Sequence, residues 1–372
     1  MTPSVSQARS PGSPPLPSND DMRQVAAKFH AGKYAEAESH LRRLIVAYPK
    51  ASQLLKMLGS TLSAQGKFEP AADSFKTALR LQPGDFETHN NLGLTLRELN
   101  QREAATRCFE AAVSFKPDFL EAHLNLGNIR QELEQCDLAI ESFRRIISLQ
   151  PAFAPAHNNL GSALQQQGKL SEAVAAFRNA LALAPHYIDA HNSLGLTLRE
   201  LGKLAEAREQ FLAALQYAPK AGKIHGNLAI VLLELGMLTD AAQYFQQALA
   251  LEPERAEFHN GLGNTHLELG RPELAISSFS RALALRPDYP DAYNNLGNAY
   301  RKLGKLKQAI ECYQNALSVD PAFRLATTNL GRTHLLLGEH ETGLPLIASA
   351  TGLIRFTAAK LTLIPQTDHA AH

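Results

Sequence analysis

The sequence predicts an all-α fold in which antiparallel helix pairs stack one after another as a solenoid. The first observation is a row of nine prolines spaced by 34 residues without a slip. They are Pro49, Pro83, Pro117, Pro151, Pro185, Pro219, Pro253, Pro287 and Pro321. A fixed period of this length is the signature of a repeat architecture. We therefore expect about nine to ten repeats of 34 residues each.

The second observation is a set of residues that recur in phase with these prolines. We number each repeat so that its proline is position 32. The repeats then begin at Ser18, Ser52, Phe86, Leu120, Ala154, Ile188, Gly222, Ala256, Pro290 and Arg324. Position 7 is Leu from the second repeat onward, and position 8 is Gly except at Ala229. Position 20 is Ala from Ala37 to Ala309, and position 24 is Phe from Phe75 to Phe279. Positions 4, 7, 8 and 11 share one face of a helix, and so do positions 20, 24 and 27. Each repeat is thus predicted to be a helix pair whose small residues allow close approach, with the Phe filling space between repeats.

Helix ends recur with the same period. Position 15 is mostly Gly, as at Gly66 and Gly168, and Asn at Asn100. These residues suit the left-handed conformation that ends a helix. The proline then ends the second helix, because it cannot donate the hydrogen bond that a helix interior requires.

Composition and charge exclude several classes of protein. The 37 basic and 36 acidic residues nearly cancel, so net charge gives no argument for binding nucleic acid or an anionic membrane. Three scattered cysteines, Cys108, Cys136 and Cys312, indicate neither a disulfide framework nor a zinc site. No signal-peptide core and no apolar run of about 18 residues is present. We expect a soluble, cytoplasmic protein.

The chain divides into three predicted segments. Residues 1–19 are rich in Ser and Pro and are expected to be disordered. Residues 20–340 form the repeat array. Residues 341–372 are expected to form a C-terminal capping helix and tail, although a dimer contact or the start of a missing domain remain alternatives.

The Leu-Gly pair, the Ala-x3-Phe spacing and the proline on a 34-residue period resemble the tetratricopeptide repeat. The resemblance covers roughly residues 20–340 and implies a right-handed α-α superhelix whose first helices line a concave groove. The usual Trp at position 4 is replaced by His or Tyr, and the Tyr at position 11 is kept at Tyr300. Within the family, the repeat beginning at Ala154 is similar to the repeat arm of O-linked N-acetylglucosamine transferases and their bacterial relatives.

Asparagines recur on the helix face opposite the buried stripe, where positions 2, 6, 9 and 13 cluster. Position 6 is Asn in six repeats, at Asn91, Asn125, Asn159, Asn227, Asn295 and Asn329. Asn lowers helix stability by a few tenths of a kcal/mol or more relative to Ala. Its recurrence on this face therefore indicates a compensating role. An amide can pair with a peptide backbone of any sequence, and the resemblance implies this role. Alternatively, the amides bridge adjacent repeats or are inherited with the duplicated unit.

Carboxylates recur on the same face. Position 13 supplies Glu98, Glu132, Glu200, Glu234 and Glu268. Position 2 supplies Glu87, Glu121, Asp189, Glu257 and Asp291, while Arg97, Arg199 and Arg301 at position 12 offset part of this charge. The pattern predicts an acidic, amide-lined groove that prefers basic or neutral peptides. A solvated helix face without a ligand is the alternative.

Histidines recur at position 4, at His89, His123, His157, His191, His225 and His259. Equivalent residues of stacked helices lie roughly 10 Å apart, so they cannot share a metal whose ligands sit about 2.0–2.1 Å from it. We expect them to pack in the semi-buried slot. No cofactor site, metal site or catalytic constellation is predicted.

Two functions from different classes remain. The favoured one is a non-catalytic scaffold that holds a protein or peptide partner in its groove, with a homo-oligomer possible. The alternative is the substrate-recruiting arm of a protein O-glycosyltransferase, truncated or acting in trans. Only about 30 residues follow the last good helix pair, too few for a transfer domain of about 100 residues. Nucleic-acid binding is disfavoured by the neutral net charge and the acidic face.

Overall fold

The computed structural model describes residues 17–351, 354–357 and 360–363. The chain forms two compact units, Met1–Pro185 and His186–His372. The described residues of the first unit form ten helices: α1 Asn19–His30, α2 Tyr34–Ala47, α3 Ser52–Ala64, α4 Phe68–Leu81, α5 Phe86–Glu98, α6 Arg102–Phe115, α7 Leu120–Glu132, α8 Cys136–Leu149, α9 Ala154–Gln166 and α10 Leu170–Leu183.

The second unit repeats this plan and adds two short strands. Its helices are α11 Ile188–Glu200, α12 Leu204–Tyr217, α13 Gly222–Glu234, α14 Leu238–Leu251, α15 Ala256–Glu268, α16 Pro272–Leu285, α17 Pro290–Lys302, α18 Leu306–Val319, α19 Arg324–Leu336 and α20 His340–Thr351. The strands β1 Ile354–Thr357 and β2 Lys360–Leu363 pair antiparallel, with Ile354 opposite Leu363. The predicted helical solenoid of stacked pairs is confirmed, and the small hairpin was not anticipated.

The helices pack in the order that the period predicts. Within a unit, each first helix packs on its own second helix, and that second helix packs on the first helix of the next repeat. Successive first helices also touch, as α3 does α5 and α5 does α7. Successive second helices have little or no contact in the described part of the chain. The first helices therefore form the tighter, inner layer of each unit.

In seven repeats the aromatic residue at position 24 occupies a slot between the two helices of its own repeat. Phe109 and Phe143 are fully buried. A Cβ added to Gly127 would lie only 2.5 Å from Cε1 of Phe143, so the ring requires the glycine at position 8. The sequence-based expectation placed this ring between repeats. The structure places it first of all against the glycine of the same repeat.

The turns inside the repeats have the predicted backbone. The glycines at position 15 have φ between 70° and 82°. In two repeats another residue adopts this conformation: Asn100 and Glu134, each with φ of 58°. Left-handed backbone is tolerated by Asn but strained for Glu.

The chain ends bear on the predicted segment boundaries without testing them. Helix α1 begins after Ser18, whose side chain accepts a hydrogen bond from the Asp21 amide. Residues 1–16, which belong to the segment expected to be disordered, lie outside the described residues. At the other end α20 packs on α19 and also contacts β1. The two helices meet closely at Gly331 and Gly343, where a Cβ on either residue would clash with the backbone oxygen of the other.

Candidate peptide-binding face

The candidate site is the face of the first helices formed by positions 2, 6, 9 and 13, which we call the first-helix face. Each carboxylate predicted at position 13 is exposed: Glu98, Glu132, Glu200, Glu234 and Glu268. The asparagines at position 6 are less exposed than expected. Asn125 and Asn329 are buried, with 9% and 4% of their surface accessible, and the other four are half-buried.

The burial of these asparagines has a specific cause, because most of them bridge neighbouring repeats. The Asn125 Nδ2 donates to Asn90 Oδ1 of the preceding repeat at 2.9 Å, and Asn329 Nδ2 donates to Asn294 Oδ1 at 2.8 Å. Asn227 and Asn295 make the same bond to Asn192 and Asn260, at 2.9 and 3.1 Å. Asn159 varies the pattern by donating to Asn128 Oδ1 at 3.0 Å.

The acceptors of these bridges were not singled out from the sequence. Most are asparagines at position 5, and Asn90 and Asn294 are each only 1% exposed. Asn90 also donates from Nδ2 to Glu121 Oε1 at 3.0 Å, which ties a predicted acidic residue into the network. The consecutive pairs Asn90-Asn91, Asn158-Asn159 and Asn294-Asn295 are visible in the sequence and could have indicated a bridge.

Asn91 differs from the other five position-6 asparagines. Position 5 of the preceding repeat is Lys56, so the usual amide acceptor is missing. Lys56 instead pairs with Asp85, at 3.3 Å, and with Glu87. Within the described residues, the Asn91 side chain makes no hydrogen bond to another protein group. It borders a cleft together with Leu94 and Glu98. Its amide is therefore available to a ligand as both donor and acceptor.

The carboxylates of the first-helix face are partly neutralised by basic residues. Glu234 accepts three guanidinium hydrogen bonds from Arg199, two of them from Nε at 2.9 and 3.0 Å. Glu132 pairs with Arg102 at 3.3 Å, and Glu257 pairs with Arg286 at 2.7 Å. In the described part of the chain, Glu200 and Glu268 have no ion-pair partner. The face remains acidic, but less so than the sequence alone suggests.

Five histidines of the row at position 4 link the start of their repeat to the end of the preceding repeat by a hydrogen bond. His89 Nε2 bonds the carbonyl oxygen of Pro83 at 2.9 Å. Four further histidines bond the proline six residues before them at 2.9–3.0 Å: His123, His157, His225 and His259. These prolines occupy position 32, in the turn that follows the second helix, so the ring bonds a carbonyl of the turn between repeats.

The histidines lie in helix-end contacts, away from any candidate metal centre. His191 Nδ1 also bonds Gln210 Oε1 at 2.9 Å. Burial lowers the pKa of His123, and the guanidinium groups of Arg145 and Arg130 act in the same direction. Among the described residues, no group of three or more His, Cys, Asp or Glu side chains is placed to hold a metal ion.

The three thiols are free and shielded. Burial raises the pKa of Cys108 and of Cys312 to about 11, so both thiols are protonated at neutral pH. Cys108 and Cys312 therefore lack the thiolate character of a catalytic cysteine. Cys136 begins α8 and is buried, with only 9% of its surface exposed.

None of the helices in the described residues is both long enough and apolar enough to cross a membrane. No curated protein sequence matches the chain.

Solved structures show the same fold. A chain of the APC/C hetero-tetramer Cut9–Hcn1 aligns with a TM-score of 0.54 and 20% identity, over 82% of this chain and 60% of that chain. The protein thus spans about three fifths of the length of that relative. A tetratricopeptide repeat protein from Parabacteroides merdae ATCC 43184 aligns with a TM-score of 0.54 and 16% identity, over 67% of this chain and 98% of that chain. At these identities the likeness concerns the fold alone.

Family models described as tetratricopeptide repeat match nearly the whole array. The matched residues are 23–86, 86–119, 124–188, 158–223, 192–251, 227–290 and 290–323. One of these models alone accounts for more than half of the chain. The fold is typical of scaffolds for protein–protein interaction, and the matches contain no catalytic domain. The chain belongs to the tetratricopeptide repeat family.

Proposed function

We propose that the protein is a non-catalytic scaffold that binds segments of a partner protein on the first-helix face. The observation that supports this most directly is the fixed row of amide groups beside exposed carboxylates. The bridges hold Asn125, Asn227 and Asn329 in one orientation, since each amide nitrogen is bound to the preceding repeat. Within the described residues, no other protein group donates to the Oδ1 atoms of these three side chains.

The bridges change the chemistry that the amide row offers to a ligand. A bridged asparagine has used a donor and keeps its carbonyl oxygen, which has two lone pairs. Within each unit these carbonyl oxygens are acceptors suited to backbone N–H groups of an extended peptide. The row is interrupted at Ser193 and Gly261, and the Oδ1 atoms of Asn159 and Asn295 already accept from the preceding residue. Asn91 makes no bridge within the described part of the chain, so both of its amide N–H groups are free to donate, whereas a bridged amide keeps only one. We propose that the asparagines and glutamates predicted from the sequence contact the peptide, the bridged asparagines mainly as acceptors and Asn91 as both donor and acceptor.

The carboxylates are proposed to select basic or neutral segments. Glu98, Glu200 and Glu268 are exposed on the first-helix face, and like charges on an acidic partner would be repelled there. A surface attraction of this kind is screened by salt, because the Debye length falls to about 8 Å at physiological ionic strength.

Peptide titrations test this function. Labelled Lys-rich and Glu-rich peptides of similar length are titrated by fluorescence anisotropy at about 50 mM and about 300 mM salt. We expect the Lys-rich peptide to bind more tightly and to weaken with salt. The double variant Glu98→Gln/Glu132→Gln should bind it about three- to tenfold more weakly. The matched control Glu103→Gln/Glu141→Gln removes two exposed carboxylates from second helices and should bind like the wild type. Equal binding of both peptides would refute the proposal.

We also propose that the protein is located in the cytoplasm. The support for this location is that Cys108, Cys136 and Cys312 are all free, as is usual where thiols are kept reduced. A homo-oligomer also remains a proposal.

The glycosyltransferase-arm alternative stays a prediction from the sequence. The bridges between repeats give a structural reason for the recurrence of the asparagines that does not require a transferase. Stimulation of sugar transfer onto a partner protein, when this chain is added to a separate transferase, would support it.

A further inference from the structure

The first-helix face contains a cleft where the first three repeats meet. This cleft has a volume of about 870 Å³ and lies between α1, α3 and the start of α5. Its apolar lining includes Phe29, Met57 and Phe86, and its polar border includes Lys56 and Glu87. The Phe86 ring is held in place by Phe119, which is not part of the lining. The two rings pack edge to face with their centroids 4.9 Å apart. We call this hollow the large cleft.

A second hollow continues the first one along the array. It measures about 370 Å³ and is lined by Phe68, Phe75 and Leu94. Asn91 and Glu98, two residues of the predicted site, border it. We call it the small cleft. Ser60 of α3 lines both clefts, so the two are adjacent.

The clefts lie where the sequence departs from its own period. In the second repeat, positions 5 and 6 are Lys56 and Met57, where the third and fifth repeats have two asparagines. The amide bridge is therefore missing between these repeats, and an apolar side chain takes its place on the face. The same departure leaves Asn91 without an inter-repeat partner.

Charge and shape together specify what the clefts can bind. Asp85, Glu87 and Glu98 carry three negative charges on the borders. Lys56 pairs with the first two, and the Arg97 guanidinium lies 3.7 Å from Glu98, so the borders keep a small net negative charge. The borders therefore favour a cationic partner, while the aromatic linings favour apolar side chains. Packed helices are 8–10 Å apart and an extended chain advances about 3.3 Å per residue. Two side chains about three residues apart on one peptide can thus reach both clefts.

We infer that the large and small clefts form an anchoring site for a partner segment that carries two apolar side chains about three residues apart, flanked by Lys or Arg. This site rests on the proposed function, since it assigns the peptide's tightest contacts to the first three repeats. One apolar side chain enters the large cleft and the next enters the small cleft. The amide of Asn91 bonds the peptide backbone between them.

Synthetic peptides measured by fluorescence anisotropy on the full chain test the site. The probe carries two Leu residues three apart, flanked by Lys. The comparison peptides replace both Leu by Ala, place the two Leu side by side, or replace Lys by Glu. We expect the probe to bind at least about tenfold more tightly than each of them, as full burial of an apolar side chain permits.

Two variants locate the binding on the protein. Ser60→Arg places a long cationic side chain at the seam of both clefts and should weaken probe binding at least about tenfold. Ser114→Arg introduces the same side chain at an exposed position of the second helix α6 and should leave binding unchanged. Thermal melting of both variants checks that they are folded. A third variant, Ser162→Arg, changes the first-helix face of the fifth repeat. It should leave probe binding unchanged if the peptide is anchored at the two clefts, and should weaken it if the peptide binds equally along the whole face.

Each contrary result has a distinct meaning. If the Leu and Ala peptides bind alike, or if Ser162→Arg weakens binding as much as Ser60→Arg, the anchoring site is wrong while peptide binding on the face stands. If no Lys-rich peptide binds, the proposed function fails with it. If a peptide of residues 1–16 binds more tightly than the probe and loses binding in Ser60→Arg, the occupant is the chain's own segment, which overturns the inference. Binding of an apolar dye without any peptide binding would overturn it too.

Discussion

The ring of Phe245 packs against Gly261, a residue of the following repeat, and leaves no room there for a Cβ. In seven other repeats the aromatic residue at position 24 lies instead over the glycine at position 8 of its own repeat. The repeat of Phe245 has Ala229 at position 8, so a methyl group occupies the usual place of the ring. Ala229 and Gly261 therefore form one compensating pair. This pair explains two departures from the period at once, the missing Gly at position 8 and the missing Asn at position 6.

The compensation predicts that Gly261→Asn, which restores the period, destabilises the protein. The new Cβ would overlap the Phe245 ring, and overpacking of this kind costs about 1–3 kcal/mol. Urea denaturation followed by circular dichroism measures the loss. Adding Ala229→Gly should recover much of it, because the ring can then return to its usual slot. If the two substitutions have additive effects within about 0.5 kcal/mol, the pair is not coupled.

A second prediction separates bridging amides from free ones. Asn125→Ala removes the donor to Asn90, whose carbonyl oxygen is buried, so we expect a loss of about 1–3 kcal/mol in the free energy of unfolding. Asn91→Ala should change that free energy by no more than about 0.5 kcal/mol, because the Asn91 amide has no bridge to lose. Urea denaturation measures both variants.

Binding of a Lys-rich peptide by the same two variants gives the complementary comparison. Asn91→Ala should weaken it although the fold is unaffected. If Asn91→Ala destabilises the protein as much as Asn125→Ala does, then Asn91 is structural and the free amide proposed here is wrong.

A third prediction concerns the strained turn at Glu134. Its φ of 58° lies in the left-handed region, which costs a residue with a Cβ roughly 1–2 kcal/mol. Glu134→Gly should remove part of this strain and stabilise the protein by about 0.5–1 kcal/mol, after allowing for the greater entropy of Gly in the unfolded chain. In a protein of this size the melting temperature should rise by about 1 °C.

The converse substitution at an equivalent turn is the matched control. Gly168 has φ of 76°, and a Cβ added there would meet nothing within 4 Å. Gly168→Glu therefore introduces backbone strain without a steric clash and should lower the melting temperature. Unchanged melting in both variants would show that the turn conformation carries no energetic cost.

The sequence sufficed for the fold because each repeat is defined by local residues in phase. Pro151, Gly161 and Phe177 recur at fixed spacing, so one helix pair predicts the rest. The partner of Asn125 could not be derived in the same way. Asn90 lies 35 residues earlier, and only the register of one helix against the next brings the two amides together. The two clefts were also not predicted from the sequence. They form where Lys56 and Met57 stand at positions 5 and 6, which are both asparagine in the third and fifth repeats.

A fourth prediction follows from the histidines whose pKa values are lowered by burial: His40, His123 and His266. In the unfolded chain a histidine titrates near pH 6.5. Since the folded state disfavours the charged imidazolium, the unfolded state binds more protons below that pH. The stability linked to these groups is therefore complete above about pH 6.5 and is lost as the pH falls from there toward the lower folded-state pKa.

The expected result is a lower free energy of unfolding at pH 5 than at pH 7.5, measured by urea denaturation at constant ionic strength. Glu38 should not contribute in this window, because hydrogen bonds from Lys67, Gln65 and Arg42 lower its pKa to about 2. His123→Gln removes one of the titrating groups while keeping an N–H donor that can reach the Pro117 carbonyl. This variant should show a shallower decline between the two pH values. Parallel declines in the wild type and the variant would mean that His123 does not contribute to the pH dependence of stability.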